Sequence, residues 1–535
     1  MLVFSQDATP TPYAKYTVMR GASSQKINGT LAMGQQMWVR VTAIRPDDVL
    51  YVAVTGSNGL VPFLRVVNRT QTLDFAQDDN LDGDNIAFIE YIIMGESEML
   101  LILEARTAGD YSLEVGINTP SVLTTVGAGK KFYCNDNFVS ERPQLSGVAQ
   151  TREATNTIIH YTLEGQDATT DAYINTLNDA LQNSLAVQFE QLGWAKPPID
   201  CGAGGDDRLD VYVIDLNDGT LGYARPERII GDNPNTPALE ITGAYSYLVI
   251  ENDMDIIPSE LAMLYLQVTV AHEVHHNIQF GYNTDNTFYG IYESGAVWIE
   301  TLVYPNLSDA YNYPDVFMYP DVCLGTRNSD LPTRIYAEWV MMDSISQDFG
   351  MSSYQQIWQN MALGRGMNGF YDALDLLGTT PESVIQRMAI RNLLHDYTAG
   401  EFLSSVVTLE NTITQTGDVL PSADGVQEQS VDYVAIATRG VYYFAVQNSD
   451  NIALTVVGVD MSNKTAMVYE VGKGGTVDTT PFDYAYLIVQ NTARHTDPET
   501  CNFTNWQVYV GKGDDLPHNN STSEVWDATF FIPPN

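Results

Sequence analysis

The stretch from Glu260 to Phe280 has the apolar spacing of one long helix, in which Leu261, Leu264, Leu266, Val268 and Val270 lead into His272, Glu273, Val274, His275 and His276. A helix this apolar has to be buried, and burial obliges its polar side chains to find partners. The chain must therefore fold around this helix and satisfy four ionisable groups within five residues of it. Successive helical residues turn by about 100°, so His272 and His276 stand one turn apart on a single face while His275 points elsewhere. Two imidazoles at that spacing can direct ring nitrogens at one Zn²⁺, and Glu273 between them is placed to take a proton from water at the metal. The plainer reading, histidines on a merely polar helix surface, leaves their clustering after a long apolar run unexplained. His275 is expected to pack or hydrogen-bond beneath the site rather than share the metal.

A hydrolytic zinc site takes three protein ligands and keeps one position open. Seventeen residues past His276 comes Glu293, within Tyr292, Glu293, Ser294, Gly295 and Ala296. Glu293 is expected to start a second helix that runs on through Ala296 to Tyr304, with Gly295 and Ala296 small enough for close approach. It is the expected third ligand. Glu300, two turns on, could replace it or support a ligating histidine from behind. A later helix, expected over Pro332–Gln347, carries Tyr336 and Arg334. They are candidates for an oxyanion donor and a substrate-carboxylate contact, with packing or an internal ion pair as the alternative.

Around this centre the periodicity changes twice. Residues 1–122 read as short strands (Tyr16–Met19, Gln36–Ala43, Val49–Val54, Phe63–Val67, Asn85–Ile92, Glu98–Ala105 and Tyr111–Val115), which suits a β-sandwich. Residues 123–415 mix helices and strands, with helices over Thr170–Leu192 and Pro381–His395 and a strand over Leu209–Ile214. Residues 416–535 return to short strands. The expected fold is multidomain α+β, a central catalytic domain between two small β-sandwiches. The strand Ala244–Glu251, just before the motif helix, is expected to form the cleft edge onto which an extended peptide could pair.

The 535 residues include 67 acidic and 26 basic ones, a formal charge of −41. That excludes a phosphate backbone as partner and opposes an anionic membrane surface. No apolar run approaches the roughly 18–20 residues of a membrane helix. The acidity is concentrated in residues 123–415, with 38 acids against 13 bases, which makes Ca²⁺ a second candidate cofactor. Asp78, Asn80, Asp82, Gly83 and Asp84 resemble the opening of a calcium loop, but its twelfth position is Ile89 and an Asp/Gly-rich turn is the better reading. Asp206, Asp207, Asp210, Asp215 and Asp218 form another weak acidic group. Four cysteines allow a Cys134–Cys201 bridge but no zinc-ribbon pattern. The N-terminus lacks a basic, apolar leader, so either export is not directed there or a leader was trimmed. The surface composition nonetheless fits a secreted or cell-surface protein.

With these residues in view, the central region resembles the gluzincin metallopeptidases. More closely it resembles the secreted metalloproteases typified by a Myxococcus protein. The shared features are Leu192, Gly193 and Trp194 with Pro197 and Pro198, then Asp200, Gly204, Gly205 and Asp207, the strand Leu209–Ile214 with Asp215, the motif helix and Glu293 to Tyr304. The resemblance covers roughly Tyr133–Tyr304, and only its zinc motif is highly specific. It implies a zincin-like domain beside β-sandwich domains, zinc at His272, His276 and Glu293, Glu273 as base, and hydrolysis of protein or peptide substrates. The chain departs from the family where Ser294 stands between Glu293 and Gly295. The contrasting reading is an extracellular binding or surface-layer protein that keeps an inactive zinc centre, against which the intact Glu273 counts.

Overall fold

The computed structural model describes residues 16–19, 24–46, 48–68, 74–78, 85–93, 96–119, 122, 142–236, 238, 240–285, 289–307, 309–325, 327–328, 330–362, 366–495, 500–513 and 522–534. They fall into two compact units, residues 1–139 and 140–535.

The first unit is built from β1 (Tyr16–Met19), β2 (Gln25–Leu31), β3 (Gln36–Thr42), β4 (Val49–Ser57), β5 (Pro62–Val67), β6 (Asp74–Asp78), β7 (Ile86–Ile92), β8 (Glu98–Ala105) and β9 (Gly109–Ile117). They form two sheets, ordered β1-β3-β8-β5-β6 and β2-β9-β4-β7. Val39, Leu64 and Leu101 of one sheet share a core with Ile27, Val52 and Leu113 of the other, as the alternation along each strand requires. Two strands had not been expected, β2 and β6. Both are edge strands, and β2 buries only Ile27 and Leu31, which leaves little hydrophobic period to read.

In the second unit, β10 (Gln150–Glu153), β11 (Thr157–Tyr161), β12 (Leu209–Ile214), β13 (Gly222–Gly231) and β14 (Gly243–Glu251) form a sheet in the order β10-β11-β12-β14-β13. Strands β11, β12 and β14 run parallel, and β10 and β13 close the edges antiparallel. The expected cleft edge is therefore misplaced. Strand β14 is interior, paired on both sides and buried along its whole length. The edge that touches the motif helix belongs to β13, whose Arg225, Pro226, Glu227 and Arg228 suit an edge and would be costly inside a sheet.

The helices are α1 (Asp171–Leu185, extended by a π turn to Gln191), α2 (Ala262–Phe280), α3 (Tyr289–Val303), α4 (Asp315–Met318), α5 (Arg334–Ala337), α6 (Trp339–Phe349), α7 (Ser353–Met361), α8 (Gly366–Leu377) and α9 (Pro381–Leu394). The helix expected over Pro332–Gln347 forms as two shorter helices that meet at Glu338.

The chain then enters β15 (Leu409–Ile413), β16 (Asp418–Pro421), β17 (Val426–Gln427), β18 (Ser430–Ile436), β19 (Val441–Val446), β20 (Ile452–Asp460), β21 (Thr465–Gly472), β22 (Gly474–Asp478), β23 (Tyr484–Asn491), β24 (Phe503–Thr504), β25 (Gln507–Lys512) and β26 (Thr522–Asp527). A six-stranded sheet, β15-β18-β23-β20-β21-β26, faces the four-stranded β16-β25-β19-β22 across a core that includes Val434, Leu487, Phe444 and Val508. The outer face of the larger sheet packs on the helices. Tyr433, Val457, Ile488 and Trp526 join the same core as Met342 of α6 and Met388 of α9. A Cys323–Cys501 disulfide ties the helical region to the strands covalently. Cys201 is also disulfide-bonded, while Cys134, its expected partner, lies outside the described residues.

Candidate metal centre

Helix α2 is buried from Val268 to Gln279 except at His272, and it lies between the sheet on one side and α3 on the other. Gly295 leaves room for the Tyr354 hydroxyl and the Gln279 amide against α3, and the turn that carries Glu293 faces the turn that carries His272 and His276. His272 Nε2 lies 3.1 Å and His276 Nε2 3.5 Å from the same oxygen, Glu293 Oε2. One ligand atom from each of the three residues lies within 4.8 Å of the other two. A tetrahedral ion with N and O ligands at about 2.0–2.1 Å holds neighbouring ligand atoms roughly 3.3–3.4 Å apart, so this set fits one.

The outer hydrogen bonds fix which nitrogens face inward. Gln279 Nε2 donates to Tyr292 O (3.1 Å) and to the Tyr354 hydroxyl (3.1 Å), which leaves Gln279 Oε1 to accept from His276 Nδ1–H at 2.7 Å. Glu300 Oε1 accepts from His272 Nδ1–H at 2.7 Å. With Nδ1 engaged in both rings, each Nε2 faces the Glu293 carboxylate oxygen, where a metal ion would take the place of the protons those nitrogens otherwise carry. Charge points the same way, since Glu273, Glu293 and Glu300 are all buried here and a dication would offset them. Burial opposes charge on His272, yet Glu293 and Glu300 outweigh it and lift the imidazole well above its ordinary range. Burial opposes charge on Glu293 too, and His276 and His272 hold it well below the usual carboxylate range.

Glu273 lies between this face and the sheet edge, with His272, His276 and Glu293 on one side and the Ala224 backbone of β13 on the other. Its Oε2 is buried without a hydrogen-bond partner among the described residues. Burial pushes the carboxyl up, against the pull of His272 and His276 and, more weakly, of the Ala224 backbone on β13. A carboxyl with a raised pKa and an unused oxygen is suited to accepting a proton.

His275 is fully buried, with Nδ1 2.9 Å from Gln188 Oε1 and Nε2 3.3 Å from the Tyr354 hydroxyl. Its ring meets Trp194 edge-on at 4.9 Å. Tyr336 lies with its ring 6.2 Å from that of His272. The Glu293 charge, followed by burial, drives its phenol pKa far up. Two expectations need correction. Glu293 does not open its helix, because α3 is already formed at Tyr289 and Glu293 sits a full turn inside it. Arg334 is not available to substrate, being 1% exposed, with Nη2 donating to Val322 O at 2.8 Å and Nε 3.6 Å from Glu338.

Gln279, Gln188, Tyr354 and Tyr289 also stand at the site and were not expected. Gln279 was within reach of sequence reasoning, since it lies three residues past His276 on the same face. Tyr289 stands one turn before Glu293, and its phenol is raised by burial and by that carboxylate. Tyr354 comes from a helix that had not been anticipated.

The acidic groups read as calcium candidates do not gather. Asp206 pairs with Arg208 at 2.6 Å, Asp210 with Arg142 and His160, and Asp218 accepts from Thr220 N at 2.9 Å. Asn80, Asp82, Gly83 and Asp84 lie outside the described residues. Cys323, Cys501 and His495 are also close together, but the two sulfurs are joined to each other and offer no thiolate. Among the described residues no helix is long and apolar enough to cross a membrane.

No family model matches the chain, and no curated protein matches it. Among solved structures it is similar to the pre-peptidase C-terminal domain of a collagenase from Bacillus anthracis, at 12% identity, covering 20% of this chain and 98% of that one with a TM-score of 0.17. It is also similar to IMPa from Pseudomonas aeruginosa in complex with an O-glycopeptide, at 11% identity, 72% and 52% coverage and a TM-score of 0.21. A third is an aminopeptidase N family protein from Idiomarina loihiensis, at 8% identity, 97% and 99% coverage and a TM-score of 0.28. Likenesses this low carry no weight for function, which rests on the residues themselves.

Proposed function

We propose that the protein is a zinc-dependent endopeptidase of zincin-like fold, with His272, His276 and Glu293 as metal ligands and Glu273 as general base. The observation that carries this reading is the convergence of His272 Nε2 and His276 Nε2 on Glu293 Oε2, at 3.1 and 3.5 Å. Bound zinc would polarise a water molecule and the carbonyl under attack. Glu273 accepts the proton of the attacking water and returns it to the leaving amine. Glu300 and Gln279 hold the two imidazoles in the tautomer that leaves Nε2 free. Tyr336, beside His272, donates a hydrogen bond to the developing oxyanion. The free edge of β13, at whose Ala224 the Glu273 carboxylate stands, offers main-chain groups to an extended peptide, which favours a polypeptide substrate over a small ester or amide.

The test is digestion of casein and of a peptide library, with and without a chelator. Internal cleavage that stops with chelator and returns on adding zinc is expected. Zinc-loaded protein that cuts no peptide would contradict the reading.

A further inference from the structure

Arg327 stands out in a chain so rich in carboxylates, because it is exposed and pairs with none among the described residues. Its guanidinium lies over the Tyr289 ring, 3.9 Å from the centroid, a cation–π contact that holds the group in place. The loop behind it is anchored three ways. Cys323 is fixed by its disulfide, Leu324 is in the core, and Gly325 N donates to the buried Glu338 at 2.8 Å. Tyr289 is four residues before Glu293 and so on the same face of α3. Its phenol feels the Glu293 charge and also acts on Tyr336. Tyr289 thus stands between the Arg327 guanidinium and the Glu293 carboxylate.

We infer that Arg327 is a specificity-determining residue beside the metal centre, selecting peptides that carry a carboxylate close to the bond cut. That carboxylate is either an Asp or Glu side chain or the chain's own C-terminus. The inference rests on the peptidase reading for the substrate, but its test does not need turnover. Arg327 reads the charge by a charge-assisted hydrogen bond, while Tyr289 keeps the guanidinium from collapsing onto the protein's own acids.

The experiment measures binding of labelled peptide pools to the full-length, zinc-loaded Glu273→Gln protein by fluorescence anisotropy. The pools differ only in one central Glu, Gln or Lys, each with a free or an amidated C-terminus. The Glu pool is expected to bind about fivefold tighter than the Gln pool, the scale of one partly exposed charge pair. Arg327→Ala should abolish that ratio without changing zinc content, and Arg327→Glu should reverse it toward Lys. If only amidation weakens binding, and Arg327→Ala removes that effect, the C-terminal carboxylate is the group recognised. Equal binding of all pools, or a preference that survives Arg327→Ala, overturns the inference. An Arg327-dependent preference in a protein that cuts nothing would leave Arg327 as a carboxylate-binding residue and refute the peptidase reading alone.

Discussion

Gly295→Ala would ordinarily stabilise an interior helical position by about 1 kcal/mol. In this fold it should do the reverse. A Cβ at 295 would run into the Tyr354 hydroxyl, come 2.6 Å from the ring carbon that bears it and 3.2 Å from Gln279 Nε2. Tyr354 cannot step aside, since Trp194 and Trp298 meet its ring at 5.3 and 5.2 Å and it is 1% exposed. Displacing the hydroxyl costs its contacts with His275 (3.3 Å) and Gln279 (3.1 Å). Overpacking costs about 1–3 kcal/mol and two buried hydrogen bonds about 1 kcal/mol each. Less the helical gain, the net loss is roughly 2–4 kcal/mol. Urea unfolding followed by tryptophan fluorescence reads this directly, because Trp194 and Trp298 flank the site of change. Adding Tyr354→Phe to Gly295→Ala should restore part of the loss by removing the obstructing oxygen. A Gly295→Ala protein as stable as the parent, with unchanged zinc affinity, would refute the packing described between α2, α3 and α7.

Glu273→Gln should keep the fold and the zinc while peptide hydrolysis falls by roughly a hundredfold or more; near-normal turnover, or zinc lost along with activity, would remove Glu273 from the role of base. Glu300→Gln should weaken zinc binding by about 10–100-fold in a competition titration, because His272 loses the carboxylate that orients it; unchanged affinity would make Glu300 incidental. Asp432, buried against Trp506 Nε1 at 2.5 Å, has its carboxyl pushed up by burial to about 8. The native state thus holds a proton that the unfolded chain gives up near pH 4. Stability from this group is full below about pH 4, declines as pH rises and is lost above about 8. Asp432→Asn keeps an acceptor for Trp506 and should flatten that decline, gaining a few kcal/mol at pH 8–9. Parallel stability–pH curves for the two proteins would contradict it.

What could be read from residues alone followed periodicity. Leu209–Ile214, Glu98–Ala105 and the motif helix are long or strongly patterned, and they form where expected. Strand β13 was missed because Gly222 and Pro226 lie in it and Arg225, Glu227 and Arg228 interrupt any apolar alternation; with it went the identity of the sheet edge. The i,i+4 histidines and Glu293 could be paired because they sit on two successive helices, and α2 and α3 do pack together. The groups that orient them come from further away. Tyr354 is 79 residues from His275 and Gln188 is 87, separations that carry no local pattern, and only tertiary packing reveals them. The disulfide from Cys323 spans 178 residues to Cys501, a closure that sequence spacing leaves as one of several pairings.

The most direct test of the zinc centre is anomalous scattering at the zinc edge from crystals of the full-length protein. One zinc per chain is expected, bound by His272 Nε2, His276 Nε2 and a Glu293 carboxylate oxygen, with Glu273 near the metal but not among its ligands. A metal held without His272 or His276, or no metal at this position after zinc has been supplied, would contradict this assignment.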